Sequence, residues 1–206
     1  MRRQLIVYAK SPLPGHAKSR LGEAIGLDAA AGVYARLLYA YLLDLLHADL
    51  EETEVVLSVA APEDVAYFAD AFPELTVRPQ VAGDLGQRME ASFERAFDAG
   101  AEWVVLTGSD IPGLEYRSVV AAFAALLEDP LVIGPAADGG YYLLGMRAPG
   151  ADLFTDVAWS TERVLDQTLA RAAAQGLDVA TLPLRVDLDT EADFVWWQDR
   201  LLGRET

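Results

Sequence analysis

Trp103-Val104-Val105-Leu106-Thr107-Gly108-Ser109-Asp110-Ile111-Pro112-Gly113-Leu114 is the stretch on which the fold turns. Its first five residues form a nearly continuous apolar run, the pattern of a central strand covered on both faces. Gly108, Ser109 and Asp110 follow at once, and Pro112 keeps the next segment from folding back as helix. A strand that ends in a glycine-bearing, charged loop suits an open α/β sheet, where ligands bind outside the carboxyl ends of the strands.

On both sides of this stretch, strand-like and helix-like segments alternate to the ends of the chain. Gln4–Ala9, Glu54–Ala60 and Leu75–Arg78 read as strands, as do Leu131–Gly134, Tyr141–Met146 and Leu177–Leu182. Between them, Ala17–Ile25 and Asp28–His47 read as helices, the second with Val33, Leu37, Leu38, Tyr41, Leu42, Leu45 and Leu46 on one 3.6-period face. Pro62 suits the first residue of a third helix. Asp84 opens a fourth, with Met89, Phe93 and Phe97 in a stripe and Gly100 at its end. Tyr116–Leu127 is a fifth, and Trp159-Ser160-Thr161 is expected to cap a sixth that runs to about Gln175. Thr190 with Asp193 forms a capping box for the last, which packs Phe194, Trp197 and Leu201, with Trp196 beside Trp197 also read as packing. The expectation is a single domain over residues 1–206, a three-layer α/β/α architecture with a mostly parallel central sheet.

Composition narrows the chemistry. With no cysteine and only His16 and His47 as imidazoles, any metal must be held mainly by carboxylates, which points to Mg²⁺ or Mn²⁺ over Zn²⁺. A formal net charge of −16 argues against a nucleic-acid or anionic-membrane partner. No apolar run approaches the roughly 18 residues of a membrane helix. The apolar run after Met1-Arg2-Arg3-Gln4 is too short for a signal peptide, so a cytoplasmic protein is expected.

Against this acidic background one loop is cationic. Of sixteen Lys plus Arg, only Lys10 and Lys18 are lysines, and both lie in Lys10-Ser11-Pro12-Leu13-Pro14-Gly15-His16-Ala17-Lys18-Ser19-Arg20. A compact ammonium suits a phosphate that shifts during a reaction. Pro12 and Pro14 stiffen the loop, Gly15 permits close backbone approach, and a helix from about Ala17 offers free N–H groups to an anion. The loop is neither a Walker A motif, since Ala17 precedes its lysine, nor a G-x-G-x-x-G fingerprint.

Other candidates also sit at strand ends. Asp110 either ligates a divalent cation or caps the helix near Tyr116. Of Asp187 and Asp189, one is expected to face a metal and the other to brace the last helix. Asp138-Gly139-Gly140-Tyr141 holds an acceptor or is a hairpin turn. Ser109 lacks a nucleophile-elbow context, which removes serine hydrolysis.

Taken together, Lys10-x-Pro12-x-Pro14-Gly15-x-x-Lys18-Ser19-Arg20-Leu21, Gly83-Asp84-Leu85-Gly86-x-x-Met89, Gly108-Ser109-Asp110-x-Pro112, Gly134-Pro135-x-x-Asp138-Gly139-Gly140-Tyr141-Tyr142 and Trp159-Ser160-Thr161 resemble a known group. They are similar to the bacterial family of small glycosyltransferase-A-like proteins described as nucleotide-diphospho-sugar transferases, some of them named for arsenosugar biosynthesis. More distant relatives are guanylyltransferases acting on phospholactate and molybdenum cofactor, and sugar-phosphate nucleotidyltransferases. The first loop departs from the Gly-Gly-rich form of the pyrophosphorylases.

The resemblance implies the nucleotide-diphospho-sugar transferase fold, a Rossmann-like architecture. It implies that Lys10, Pro14, Gly15, Lys18 and Arg20 wrap the nucleotide phosphates, with Gln80, Leu85 and Gly86 near the base. Asp110 and Asp187 then ligate Mg²⁺ or Mn²⁺, with Asp189 as a substitute ligand. Asp138, Gly139, Gly140, Tyr141, Trp159 and Ser160 fall where acceptors bind, and Lys18, Arg20 and Asp110 carry catalysis. The expected partners are a nucleotide or nucleotide-sugar and a small acceptor. The expected activity is metal-dependent transfer of a glycosyl or nucleotidyl group; the alternatives are a guanylyl- or cytidylyltransferase acting on a phosphorylated metabolite, and a nucleotide-binding protein without catalysis.

Overall fold

The computed structural model describes residues 2–48 and 50–201. Among these, the strands are β1 (Arg3–Ala9), β2 (Thr53–Val59), β3 (Thr76–Pro79), β4 (Trp103–Thr107), β5 (Leu131–Pro135), β6 (Tyr141–Met146) and β7 (Val179–Thr181). They form one sheet in the order β3-β2-β1-β4-β6-β5-β7. The β1–β2, β1–β4, β2–β3 and β5–β7 pairs are parallel, and β6 runs antiparallel to both β4 and β5. The sheet is thus mostly parallel, and Trp103–Thr107 is buried along its whole length, as its apolar run predicts.

The helices are α1 (Ser19–Ile25), α2 (Leu27–His47), α3 (Asp64–Ala71), α4 (Leu85–Asp98), α5 (Tyr116–Ala125), α6 (Val164–Ala174) and α7 (Glu191–Leu201). Because strand side chains alternate between faces, Leu5, Val7 and Ala9 join one core with α2, α3 and α5, while Ile6 joins another with α4 and α6. Burying Leu38, Leu57 or Phe68 completely is worth roughly 1.5–3 kcal/mol each. A small third cluster of Leu21, Ala30, Leu37 and Leu188 ties α1 and the segment before α7 to the outer side of α2.

By length and composition α2 is apolar enough to cross a membrane, with a mean hydropathy of 1.3. Counting uninterrupted apolar residues does not reveal this. Its Tyr34, Leu38, Tyr41, Leu42 and Leu45 lie in the core against the sheet.

Several boundaries differ from the sequence expectation for local reasons. Lys18 adopts a left-handed conformation (φ 53°, ψ 43°), so α1 begins only at Ser19. Pro62 lies in a turn and α3 begins at Asp64. Thr161 does not cap α6: its Oγ1 donates to the Ala158 carbonyl at 2.7 Å, and the helix starts at Val164 behind Arg163, with no side-chain cap. Trp196 is 44% exposed, leaving Trp197 as the packing residue of that pair. The Thr190–Asp193 box does form, with the Thr190 N–H donating to Asp193 Oδ2 at 2.8 Å and the Asp193 N–H to Thr190 Oγ1 at 3.3 Å.

This topology positions the site. From β1 the chain runs outward to β2 and β3, then returns to the other side of β1 as β4. At that reversal the loops leaving the carboxyl ends of β1 and β4 part and open a crevice.

Candidate functional site

A cleft of about 660 Å³ lies at this crevice. Lys10, Lys18 and Arg20 line it from the first loop, Asp110 from the loop after β4, and Asp187 and Asp189 from the segment before α7. Gln80 and Leu85 line it from the β3–α4 segment, and Asp138, Gly140, Tyr141, Trp159 and Ser160 from the segments around β6 and before α6. Pro14 and Gly15 are exposed on the tip of the first loop and do not reach the lining. Gly86 and Gly139 sit behind it. A Cβ on Gly86 would fall 2.3 Å from Trp159 Nε1, and one on Gly139 (φ 87°) would fall 2.2 Å from the Glu162 carbonyl oxygen. Both glycines therefore seat the Trp159–Glu162 loop.

Tyr34 of α2 welds the two loops at the reversal. Its hydroxyl accepts from the Lys10 N–H at 2.8 Å and lies 3.1 Å from Ser109 Oγ, which donates to the Tyr8 carbonyl at 2.7 Å. Burial pushes the Tyr34 phenol up to about 12, so it stays neutral at ordinary pH. Sequence reading missed this residue because its ring serves the helix's apolar face and hides the polar tip.

Lys18 does not project into the cleft as a free cation. Its side chain is 1% exposed, and Nζ donates to Asp110 Oδ2 at 2.9 Å, Asp189 Oδ1 at 2.8 Å and the Asp110 carbonyl at 3.3 Å. Burial alone would push the ammonium down, but the charges of Asp110 and Asp189 outweigh it and hold Lys18 above the usual lysine range.

Asp110 is not the cap of α5. That role belongs to Asp44 of α2, whose Oδ2 accepts from the Tyr116 N–H at 2.6 Å. Asp187 and Asp189 both line the cleft, because residues two apart in extended chain share a face; Leu188 between them points into the core. The side chain that braces α7 is Asp193. Asp138 is both a hairpin residue, with Oδ1 accepting from the Gly140 N–H at 2.8 Å, and a wall of the cleft.

Asp187 is the outlier of this floor. Its Oδ1 is buried with no hydrogen-bond partner. Burial, reinforced by the charges of Asp138, Asp110 and Asp189, pushes its carboxyl up to about 8. A hard divalent cation would satisfy that oxygen and relieve the repulsion. Among the described residues no group of three or more His, Asp or Glu side chains is arranged to hold a metal ion unaided. Mg²⁺ does not require one, since it binds through one or two carboxylates plus waters and substrate phosphates. Asp110 and Asp187 fit that role.

On the β3–α4 side, Gln80 Nε2 donates to the Ser58 carbonyl at 3.0 Å, and Gln80 Oε1 accepts from Arg88 Nη1 at 3.0 Å. Arg88, a cation of the lining that sequence reading passed over, is placed here by the Asp84–Gln87 capping box that starts α4. Against Gly86 of α4, Trp159 also stacks on Phe154 (6.4 Å, 28°), which fixes its indole. Behind the carboxylates Arg185, also unforeseen, donates to the Gly113 carbonyl at 2.7 Å and to Ser118 Oγ at 2.9 Å, and lies over the Tyr142 ring.

A family profile described as "uncharacterized protein conserved in bacteria (DUF2064)" matches residues 43–161, more than half of the chain. A candidate nucleotide-diphospho-sugar transferase from Desulfovibrio desulfuricans G20 superposes with a TM-score of 0.85 at 32% identity, over 97% of this chain and 89% of the other. The inositol-1-phosphate CTP transferase from T. maritima gives 0.57 at 18% identity, over 93% and 91%. A mannosyltransferase from Pyrobaculum calidifontis, in complex with GDP-Man and Mn²⁺, gives 0.53 at 18%, over 97% and 60%. The last two share the fold alone. No curated protein matches the sequence. The fold is that of the nucleotide-diphospho-sugar transferases, as the resemblance implied.

Proposed function

The chain belongs to the DUF2064 family, and on that premise we propose that it is a metal-dependent transferase moving a glycosyl group from a nucleoside-diphosphate sugar to a small hydroxyl-bearing acceptor. One observation carries this reading: four aspartates, Asp110, Asp138, Asp187 and Asp189, line the cleft together with one buried ammonium, and the exposed cations Lys10 and Arg20 stand beside them. A floor with surplus negative charge and a cationic wall suits a phosphate group that arrives with a divalent cation.

Asp110 and Asp187 would hold Mg²⁺ or Mn²⁺, which when bound neutralises the diphosphate leaving group. Lys10, Arg20 and Arg88 bind the phosphate oxygens and keep them in line with the sugar. Asp138, its Oδ1 anchored by Gly140, takes the proton of the acceptor hydroxyl as that oxygen bonds to the anomeric carbon. The bond from that carbon to the phosphate oxygen breaks, and its electron pair leaves with the nucleoside diphosphate. Trp159 and Tyr141 flank the acceptor and limit water.

Lys18 supports a diphosphate donor over a triphosphate. Its charge is spent on Asp110 and Asp189, which leaves two loop cations, Lys10 and Arg20, for phosphate. A thermal-shift screen of nucleoside triphosphates and sugar nucleotides, with and without Mg²⁺, tests the proposal. A metal-dependent shift with a sugar nucleotide supports it. Preference for CTP or GTP over every sugar nucleotide would establish nucleotidyl transfer instead, and binding without turnover would mark a nucleotide-binding protein.

A further inference from the structure

We infer that Lys18 is the resident counter-ion of the cleft: it holds Asp110 and Asp189 together from beneath, in the place a second divalent cation would need, and does not touch the nucleotide phosphates. For the metal and the phosphate this rests on the reading of the cleft just given.

An ammonium has three hydrogens, and the three acceptors around Nζ, at 2.8, 2.9 and 3.3 Å, use all of them. Lys18 is 1% exposed while the Asp110 and Asp189 side chains are 43% and 42% exposed, so the ammonium lies below the carboxylates. A phosphate entering from solvent meets two like charges before it reaches Nζ. The backbone fixes the arrangement from the other side: Lys18 is left-handed, and its carbonyl accepts from the Gly22 N–H at 2.8 Å, within α1. For a residue with a Cβ that conformation is strained, so the surroundings must hold it. The Lys18 contact occupies Asp110 Oδ2, and Asp110 and Asp187 together would hold a single cation. The planar fork of arginine does not reproduce a three-way point contact, which accounts for lysine at this position in a chain with only one other lysine, Lys10.

Three measurements on the full chain test this. In EDTA, Lys18→Met should lower the melting temperature by about 3–6 °C, and adding Asp189→Asn, which removes the stranded carboxylate, should recover about half of the loss. Lys18→Arg should not restore it. A Lys18→Met protein that melts like the wild type would overturn the counter-ion role. Mn²⁺ titration followed by electron paramagnetic resonance should give about one equivalent for the wild type and about two for Lys18→Met; two for the wild type would overturn the one-metal site. Binding of inorganic pyrophosphate with Mn²⁺ should not weaken in Lys18→Met and should weaken in Lys10→Met, whereas a tenfold loss in Lys18→Met would make Lys18 a phosphate ligand. If the wild type takes up neither Mn²⁺ nor pyrophosphate, the function proposed above fails, while the melts in EDTA still decide the role of Lys18.

Discussion

The loop after β1 and the segment after β7 are both irregular and both carry charges of the cleft, yet they are held in different ways. The first is pinned where it leaves β1, by Tyr34 on the Lys10 N–H, and again at Lys18; between them Leu13, Pro14, Gly15 and His16 are exposed. The second is clamped along its length. The Arg185 N–H donates to the Pro135 carbonyl, the Arg185 carbonyl accepts from the Ala137 N–H, and the Tyr142 hydroxyl donates to the Pro183 carbonyl. The Arg185 side chain then fastens the segment to the loop after β4. A ligand-gripping charge gains from freedom to follow phosphate, whereas a carboxylate that would ligate a metal must already be in place. Lys18 belongs by sequence to the first kind and by environment to the second.

Substitutions can break this comparison, and the largest effect is expected at Asp187. Asp187→Asn should keep the fold but lower metal-dependent turnover by roughly 10²-fold or more, read as nucleoside diphosphate released. An active Asp187→Asn enzyme would remove the clamped segment from the chemistry. Next comes Arg185→Met, which strands the Gly113 carbonyl and Ser118; about 2 kcal/mol of stability should be lost in urea unfolding, with turnover falling because Asp187 and Asp189 lose their anchor.

A smaller effect separates the free cations. Lys10→Met and Arg20→Met should each weaken nucleotide binding by roughly three- to tenfold, an effect that fades at high salt, with the melting temperature unmoved.

The last test is a pH dependence of the metal-free protein. Asp187 titrates near 8 in the folded chain and near 4 when unfolded, so between these values the folded state holds the extra proton. The stability this contributes is lost as pH rises toward 8. In EDTA the melting temperature should therefore decline from about pH 5 to 8, and the decline should flatten in Asp187→Asn or when Mn²⁺ is added.

The sequence by itself determined the elements and their order. Trp103–Thr107 and Tyr141–Met146 are strands where the apolar runs put them, and Asp84, Gly100 and the Thr190–Asp193 box mark helix ends as local chemistry requires. It also placed charge and glycine at strand ends, and most of those residues line the cleft. These are properties of neighbours along the chain, for which periodicity and capping suffice. Only the tertiary structure decided which charges stay free. Lys18 meets Asp189 across 171 residues of sequence, Asp44 takes the cap that Asp110 was a candidate for, and Tyr34 and Arg185 enter the site or its support from segments distant in the chain. The role of a charge depends on its burial and its partner, and both are set by the packing of segments far apart in sequence.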